Sequence, residues 1–142
     1  GEKSGHQEVV RVRFDADKIS YSHLLQHYWR NIDPLDGQGQ FCDRGDSYRP
    51  MIFTAGEQRA STAQASAASA ASELGVSKSK IKVQIRDAVQ FWPAEDYHQN
   101  YANNNELRYR YYRFSCGRDR RLDAVWGERA RSGTAWATPV AP

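Results

Sequence analysis

The sequence predicts an α/β protein, built as a two-layer sandwich in which helices cover a sheet. Two segments, 8–15 and 81–86, alternate apolar and polar residues as half-buried strands do. Helical spacing of apolar residues occurs between them, and the predicted helices are amphipathic on one side only. Strands and helices that alternate in this way pack as two layers. At 142 residues the chain is long enough for one domain with its own core.

The first strand is predicted over residues 8–15 and the first helix follows it. One face of the strand carries Val10, Val12 and Phe14. Glu8 has the same parity, so its side chain is expected on the core side at the start of the strand. Ser20 is a good N-cap, and Pro34 stops the helix. The apolar residues of the helix recur at helical spacing: Tyr21, Leu24, Leu25, Tyr28, Trp29 and Ile32.

A polar loop, a strand and a long helix are predicted next. The loop spans Asp33 to Ser47 and contains three glycines; loops of this length are usually functional or disordered. Arg49 to Ala55 favours a strand, with Pro50 indicating an edge position. An Ala-rich helix is expected over Glu57 to Leu74, because a helical period ends there at Gly75.

The last third of the chain predicts short elements. Ala94 to Asn103 favours a short helix with acidic residues in its first turn. Leu107 to Ser115 is aromatic and basic and fits a helix or a strand. Arg118 to Trp126 fits a helix ended by a glycine. One domain is therefore predicted over 1–127, with a loose tail over 128–142.

The composition favours a globular protein without a membrane span or a metal. The net charge of +3 is too mild to indicate a nucleic-acid binder. No run of about 18 apolar residues occurs, so no membrane-spanning segment is expected. The two cysteines lack zinc spacing. His23 and His27 are four residues apart, but no carboxylate or cysteine is spaced to complete a metal site.

Several blocks that occur in one order carry a family resemblance. They read Gly-His-Gln-Glu-Val-Val-Arg-Val from Gly5, Asp33-Pro34 after a helix, Asp43-x-Gly45-x-x-Tyr48-Arg49, and Ala94-Glu-Asp-Tyr-His-Gln99. This order resembles that of the peptide methionine sulfoxide reductases of the A type, from about Gly5 to Asn100. The segment Phe114-Ser-Cys-Gly-Arg-Asp-Arg-Arg-Leu122 looks like the C-terminal end of one branch of that family. Tyr97 and His98 belong to the fourth block and are interpreted as structural.

The resemblance implies a mixed sheet with a ferredoxin-like core and a thiol mechanism. The nucleophile of the family lies in a Gly-Cys-Phe-Trp motif near the N-terminus, and these 142 residues contain no such motif. The chain is therefore expected to begin just after that block. It is expected to lack the first strand and the first helix of the fold.

The resemblance also implies roles for three polar side chains. Glu8 matches the acid that hydrogen-bonds the sulfoxide oxygen, and a carboxyl group that faces an apolar layer keeps its proton more readily. Tyr48 matches a tyrosine that shares this oxygen or its water. Asp43 matches an aspartate of the same pocket, with loop capping as a strong rival role. The plain alternatives for Glu8 and Tyr48 are a partly exposed strand-end glutamate and an ordinary strand-entry aromatic.

The two cysteines receive different interpretations. Cys116 lies where the family usually carries its resolving thiol, and the arginines beside it favour a thiolate. The alternative for Cys116 is a buried free cysteine. Cys42 adjoins Asp43, a carboxylate that disfavours ionisation of a neighbouring thiol, and it is left without a role.

The resemblance implies a function and its partners. The expected reaction reduces methionine S-sulfoxide, free or in proteins, through a cysteine sulfenic acid and a disulfide. Thioredoxin or another dithiol is the expected external reductant, with no bound cofactor, no nucleic-acid or membrane partner, and a monomeric state. One alternative is a non-catalytic relative that binds oxidised methionine or a partner protein. Another is a nucleic-acid-binding module, suggested by the alternating basic and aromatic residues of 108–114. The compartment is left open, with the cytoplasm favoured and export as the alternative.

Overall fold

The computed structural model describes residues 7–95 and 99–137, and it confirms the α/β class. The helices of these ranges are α1 (Tyr21–Trp29), α2 (Glu57–Leu74), α3 (Tyr101–Asn104), α4 (Glu106–Ser115) and α5 (Arg118–Trp126). Their strands are β1 (Gly39–Gln40), β2 (Asp43–Arg44), β3 (Met51–Thr54) and β4 (Gln84–Asp87). Single 3-10 turns occur at Asp46–Tyr48, Lys78–Lys80 and Gly127–Arg129.

The strands form two small sheets of different orientation. β1 and β2 make an antiparallel hairpin, whereas β3 and β4 make a parallel pair with Met51 opposite Gln84. The connection between the parallel strands contains α2, which packs against both. A parallel pair needs such a crossover, so the long helix follows from the strand orientation.

The core lies between α1, α2 and the parallel pair. The buried face of α2 consists of small residues: Ala63, Ser66, Ala67, Ala70 and Ala71. These side chains leave room for α1 to approach closely, and fully buried Trp29 fills that space. The indole Nε1 of Trp29 donates a hydrogen bond of 2.8 Å to Ser66 Oγ, so its one polar atom is satisfied. Ile52, Val83, Leu122 and Trp126 complete the core.

Most predicted elements are present. β3 lies within the strand expected at 49–55, β4 overlaps the one expected at 81–86 but begins only at Gln84, and α5 has the expected bounds. The Ala-rich helix ends where Gly75 adopts a left-handed conformation with φ 69°. The aromatic and basic segment that fitted a helix or a strand is a helix, α4.

The predicted first strand is wrong. Residues 8–15 have no strand assignment, and the side chains of Val10 and Val12 are 85% and 54% exposed. The alternation identifies two faces, but a strand also needs a neighbouring strand, and the described residues supply none to this segment. Phe14 instead stacks against Tyr21, with their ring centroids 6.2 Å apart.

The short helix expected over Ala94 to Asn103 is displaced toward the C-terminus. α3 begins at Tyr101, and residues 94–95 are not helical. Tyr97 and His98 lie outside the described residues, so their structural role stays a prediction.

The segment after α5 packs on the core over its described residues, which end at 137. The fully buried guanidinium of Arg30 donates hydrogen bonds to Ser132 O at 3.3 Å and Ala135 O at 3.2 Å. Its Cζ lies 4.7 Å from the ring centroid of Trp136. The division at residue 127 stays a prediction, and the composition of the segment did not indicate this packing.

Candidate active site

The β1–β2 hairpin places Cys42 and Asp43 at one edge of the fold. Gly39 has φ 154°, and a Cβ there would lie 2.2 Å from the carbonyl oxygen of Asp43. Only glycine allows the two strands to approach this closely. Phe41, with φ 55°, and Cys42 form the turn. The tight hairpin therefore fixes the direction in which Cys42 and Asp43 project.

A disulfide joins the hairpin to the end of α4. It connects Cys42 to Cys116, whose Cα atoms lie 5.3 Å apart although 74 positions separate them in sequence. Cys116 lies between α4 and α5, at the point where Gly117 adopts a left-handed conformation with φ 66°. In this state neither sulfur is a free thiol. The resolving role predicted for Cys116 therefore requires that the bond be reduced first.

A hydrogen bond joins the same two elements as the disulfide. Tyr112, one helical turn before Cys116, donates from its hydroxyl to Asp43 Oδ1 at 2.5 Å. Burial and this hydrogen bond raise the pKa of Tyr112. The charge of Asp43 and the nearby Tyr48 raise this pKa further. The carboxylate of Asp43 thus stabilises the contact between the hairpin and α4, in addition to any role in a pocket.

Glu8 lies beside the loop that carries Tyr48. Its backbone N–H donates a hydrogen bond of 2.8 Å to the carbonyl oxygen of Ser47. The side chain of Glu8 is exposed, so the apolar surroundings expected on its core side are absent from the described part of the chain. The contact thus joins the backbone of Glu8 to Ser47, the residue before Tyr48.

A cavity adjoins the disulfide. Its volume is about 350 Å³, and both cysteines line it together with Asp33, Asp36, Phe41, Ser115 and Arg121. Arg121 Nε donates to the buried carboxylate of Asp33 at 2.7 Å, and Arg44 pairs with Asp36. Each carboxylate of the cavity thus has an arginine partner.

Other residues of this site were not identified from the sequence. Arg118 reaches from α5 across the hairpin, with its Cζ 4.5 Å from the ring centroid of Phe41. Its Nη2 also donates to Asn31 O at 2.7 Å. Tyr112 could have been found, because it precedes Cys116 by four positions and so shares its helix face. Asp33 and Arg121 meet only in the folded chain, and no local pattern links them.

Residues 7–95 and 99–137 hold no group of three or more His, Cys, Asp or Glu that could bind a metal ion. Within the same residues, no helix has the length and apolarity needed to cross a membrane.

Fold and site together define an α/β protein with a two-cysteine centre beside a polar cavity. The family model described as peptide methionine sulfoxide reductase matches residues 1–130. The chain belongs to that family, which confirms the resemblance. The nucleic-acid alternative gains no support from this match.

Similar proteins include two that are named peptide methionine sulfoxide reductase MsrA 2. The protein of Rhizobium meliloti (strain 1021) is 47% identical over 133 residues, covering 94% of this chain and 66% of the relative. The protein of Caulobacter vibrioides is 50% identical over 126 residues, covering 89% and 63%. A protein of Vibrio cholerae named peptide methionine sulfoxide reductase MsrA/MsrB is 42% identical, with 88% and 33% covered. The chain thus spans less than two thirds of the length of these relatives.

Proposed function

We propose that this chain takes part in the thiol-dependent reduction of methionine S-sulfoxide to methionine, free or in proteins, as a repair of oxidative damage. The observation that carries the proposal is the family match over residues 1–130. The pairing of Cys116 with Cys42 beside Asp43 supports it, because the chemistry needs a cysteine that forms a disulfide.

The reaction proceeds in three steps. A nucleophilic thiolate attacks the sulfoxide sulfur and, with one proton, takes its oxygen, which leaves methionine and a cysteine sulfenic acid. A second thiol attacks the sulfenic sulfur, forms a disulfide and releases water. An external dithiol then reduces that disulfide and becomes a disulfide itself. The nucleophile is the cysteine of the Gly-Cys-Phe-Trp motif, which these 142 residues do not contain.

The chain contributes the groups that act around the nucleophile. Glu8 donates the proton to the sulfoxide oxygen, and the hydroxyl of Tyr48 binds the same oxygen or its water. The hydrogen bond between Glu8 N and Ser47 O supports this pair, because Ser47 directly precedes Tyr48 in the chain. Asp43 shapes the loop, and Cys116 is the resolving thiol. The enzyme acts as a monomer with thioredoxin or another dithiol as reductant and no bound cofactor.

A coupled assay tests the proposal. The 142-residue chain and a form extended by an N-terminal segment with the Gly-Cys-Phe-Trp motif are supplied with methionine S-sulfoxide, and NADPH oxidation is followed through thioredoxin. We expect turnover only from the extended form, and a Cys→Ser change in the motif should abolish it. Robust turnover by the 142-residue chain alone contradicts the assignment of the nucleophile.

The resolving role is tested in the extended form. We expect Cys116→Ser to leave a single turnover of sulfoxide reduction and to stop recycling by thioredoxin. A variant that recycles normally, combined with loss of recycling in Cys42→Ser, assigns the role to Cys42 instead.

A further inference from the structure

α4 carries an apolar stripe that the described part of the chain leaves exposed. At 3.6 residues per turn, Leu107, Tyr111 and Phe114 lie on one side of the helix. Tyr112 and Cys116, which contact the hairpin, lie on the other side. The three stripe residues are 81%, 75% and 80% exposed. A contiguous apolar surface of this kind marks a site of interaction more often than a single exposed side chain does.

Positive charge flanks the stripe on both sides. Arg108 lies to one side of the stripe and Arg110 to the other, and both are exposed. Residues 106–121 contain six arginines against two acidic residues, a net charge of +4, whereas the whole chain has a net charge of +3. The excess positive charge of the molecule is therefore concentrated around this stripe.

A cavity continues this surface at the junction of α4 and α5. Its volume is about 220 Å³, and it is lined by Arg110, Arg113, Phe114, Gly117, Asp119 and Arg120. Three arginines against one carboxylate leave the cavity positive. Gly117 has φ 66°, and a Cβ there would lie 3.1 Å from Arg120 Nη2, so the glycine gives this guanidinium its space. The cavity can thus receive a carboxylate beside Arg120 and an apolar group against Phe114.

The charge and the shape of the surface select its occupant. A second copy of this chain carries the same +4 segment, and the two segments repel each other. A nucleic acid neutralises arginines but gives the aliphatic side chain of Leu107 no apolar partner. A flat anionic membrane does not fill the recessed cavity. An acidic amphipathic helix matches every feature, because it combines apolar residues at i, i+4 and i+7 with carboxylates along the edges of its apolar face.

We propose that the exposed side of α4, together with the cavity beside Phe114, is a docking surface for an acidic amphipathic helix of another protein. Apolar side chains of the partner pack on the stripe, and its carboxylates pair with Arg108 and Arg120. The contact uses no cysteine, since the stripe lies on the side of α4 opposite Cys116. The docking therefore goes beyond the proposed function and does not depend on it.

The docking is tested with the 142-residue chain and three labelled peptides of about 18 residues, long enough to form a helix. The first has leucines at i, i+4 and i+7 flanked by glutamates, the second has lysines in place of the glutamates, and the third has serines in place of the leucines. Fluorescence anisotropy measures Kd. We expect the first peptide to bind with a Kd below about 100 µM and the other two to bind at least about tenfold more weakly. No binding of the first peptide, or equal binding of the second, overturns the proposal.

Matched variants locate the surface. We expect Leu107→Ser to weaken binding of the first peptide about tenfold, because the contact loses an apolar side chain. Val89→Ser changes a 72% exposed apolar residue outside the surface and should leave Kd within about twofold. Arg120→Gln should weaken binding about threefold, as loss of an exposed ion pair does, and Arg86→Gln on β4 is its control. Equal effects within either pair overturn the assignment of the surface.

The other occupants are tested with the same variants. Vesicles of phosphatidylserine and phosphatidylcholine and a single-stranded oligonucleotide are titrated into the chain, and sedimentation velocity reports its oligomeric state. We expect weaker binding of both probes than of the first peptide, and no dimer that Leu107→Ser dissociates. Tighter binding of either probe that Leu107→Ser abolishes, or a dimer that this variant dissociates, overturns the choice of partner.

Discussion

At the scale of single residues, the position of Glu8 depends on one backbone contact. Its N–H is bound to the carbonyl oxygen of Ser47, the residue before Tyr48. The backbone of Glu8 therefore lies beside the residue that precedes Tyr48, whose phenol the proposed mechanism also uses. Because the side chain of Glu8 is exposed, the proposed role of Glu8 depends on its position in the chain near Tyr48 and not on burial.

Replacement of this carboxyl group should affect chemistry more than stability. In the form extended by the Gly-Cys-Phe-Trp segment, we expect Glu8→Gln to slow the reductive step by about two orders of magnitude, the usual contribution of a positioned acid. Single-turnover formation of methionine measures this step. Glu57→Gln, which changes an exposed carboxylate at the start of α2, is the control and should react at the normal rate. Equal rates for both variants would falsify the role of Glu8.

Arg30, the C-cap of α1, and Glu73 of α2 form a buried ion pair. Arg30 Nη2 and Nε donate to the two carboxylate oxygens of Glu73 at 2.7 and 3.0 Å. Burial by itself raises the pKa of Glu73. The hydrogen bonds from Arg30 and from the backbone of Ala137, with the charges of Arg30 and Arg129, outweigh it and lower the pKa overall.

Loss of this pair should make the protein less stable and less sensitive to acid. Because the folded pKa of Glu73 lies below its ordinary value of 4.5, its stabilising effect is complete above that value. The effect is lost as the pH falls through the folded pKa. We expect Glu73→Gln to lower the free energy of unfolding by about 3 kcal/mol at neutral pH, as breaking a buried pair does. As the pH falls below 4.5 and through the folded pKa, the difference from the unchanged chain should shrink.

Urea unfolding over a range of pH measures this effect. The matched control is Asp123→Asn, which breaks the exposed pair with Arg131. It should cost no more than about 1 kcal/mol, as is typical of surface pairs. An equal loss in both variants, or a constant loss across pH for Glu73→Gln, contradicts the interpretation.

At the scale of elements, the sequence predicted those that depend on local pattern. The helical period and Gly75 located α2, and the segment from Arg118 to Trp126 located α5. The strand expected at 8–15 was wrong because its alternation says nothing about a partner strand. The site was predicted only in part. A pairing such as Cys42 with Cys116, across 74 positions, depends on tertiary structure that neither local sequence contains.

Two links hold the hairpin on α4, and one of them is not covalent. We expect the hydrogen bond from Tyr112 to Asp43 to persist when the disulfide is reduced and to keep the two cysteines near each other. We expect Tyr112→Phe to lower the equilibrium constant for disulfide formation against dithiothreitol by about tenfold, since a hydrogen bond to a charged group contributes about 1.5 kcal/mol. The oxidised fraction, measured by mass after alkylation, gives the constant.

The control for this change lies on the same helix. Tyr111 is 75% exposed, and its replacement by Phe removes a hydroxyl without affecting the contact with Asp43. Tyr111→Phe should leave the constant unchanged. If Tyr112→Phe also leaves it unchanged, the hydrogen bond does not help to align the cysteines.

At the scale of the whole molecule, the disulfide constrains more than half of the chain. The segment between its cysteines includes β3, α2, β4 and α4. Closing a loop of this length reduces the entropy of the unfolded chain and stabilises the fold by about 4 kcal/mol in the chain-entropy model.

Reduction should therefore lower the thermal stability of the chain. We expect the Tm of the reduced and alkylated protein to fall by about 10 °C, given the usual entropy of unfolding for a chain of this size. Thermal scans by circular dichroism measure the change. Cys42→Ser should match the reduced protein, and a shift below about 2 °C for both means that the bond stabilises the fold little.

The disulfide also changes the products of proteolytic cleavage of the backbone. Residues 42–116 form a covalent ring closed by the disulfide, and the exposed stretch around Val89 and Trp92 belongs to it. A protease that cleaves there opens the ring into a line but releases no fragment, because both ends stay joined through sulfur. The nicked protein keeps its mass apart from one added water, and it separates into two pieces only after a reductant is added. The two fragments of a chain cleaved in this region therefore separate only when the disulfide is reduced.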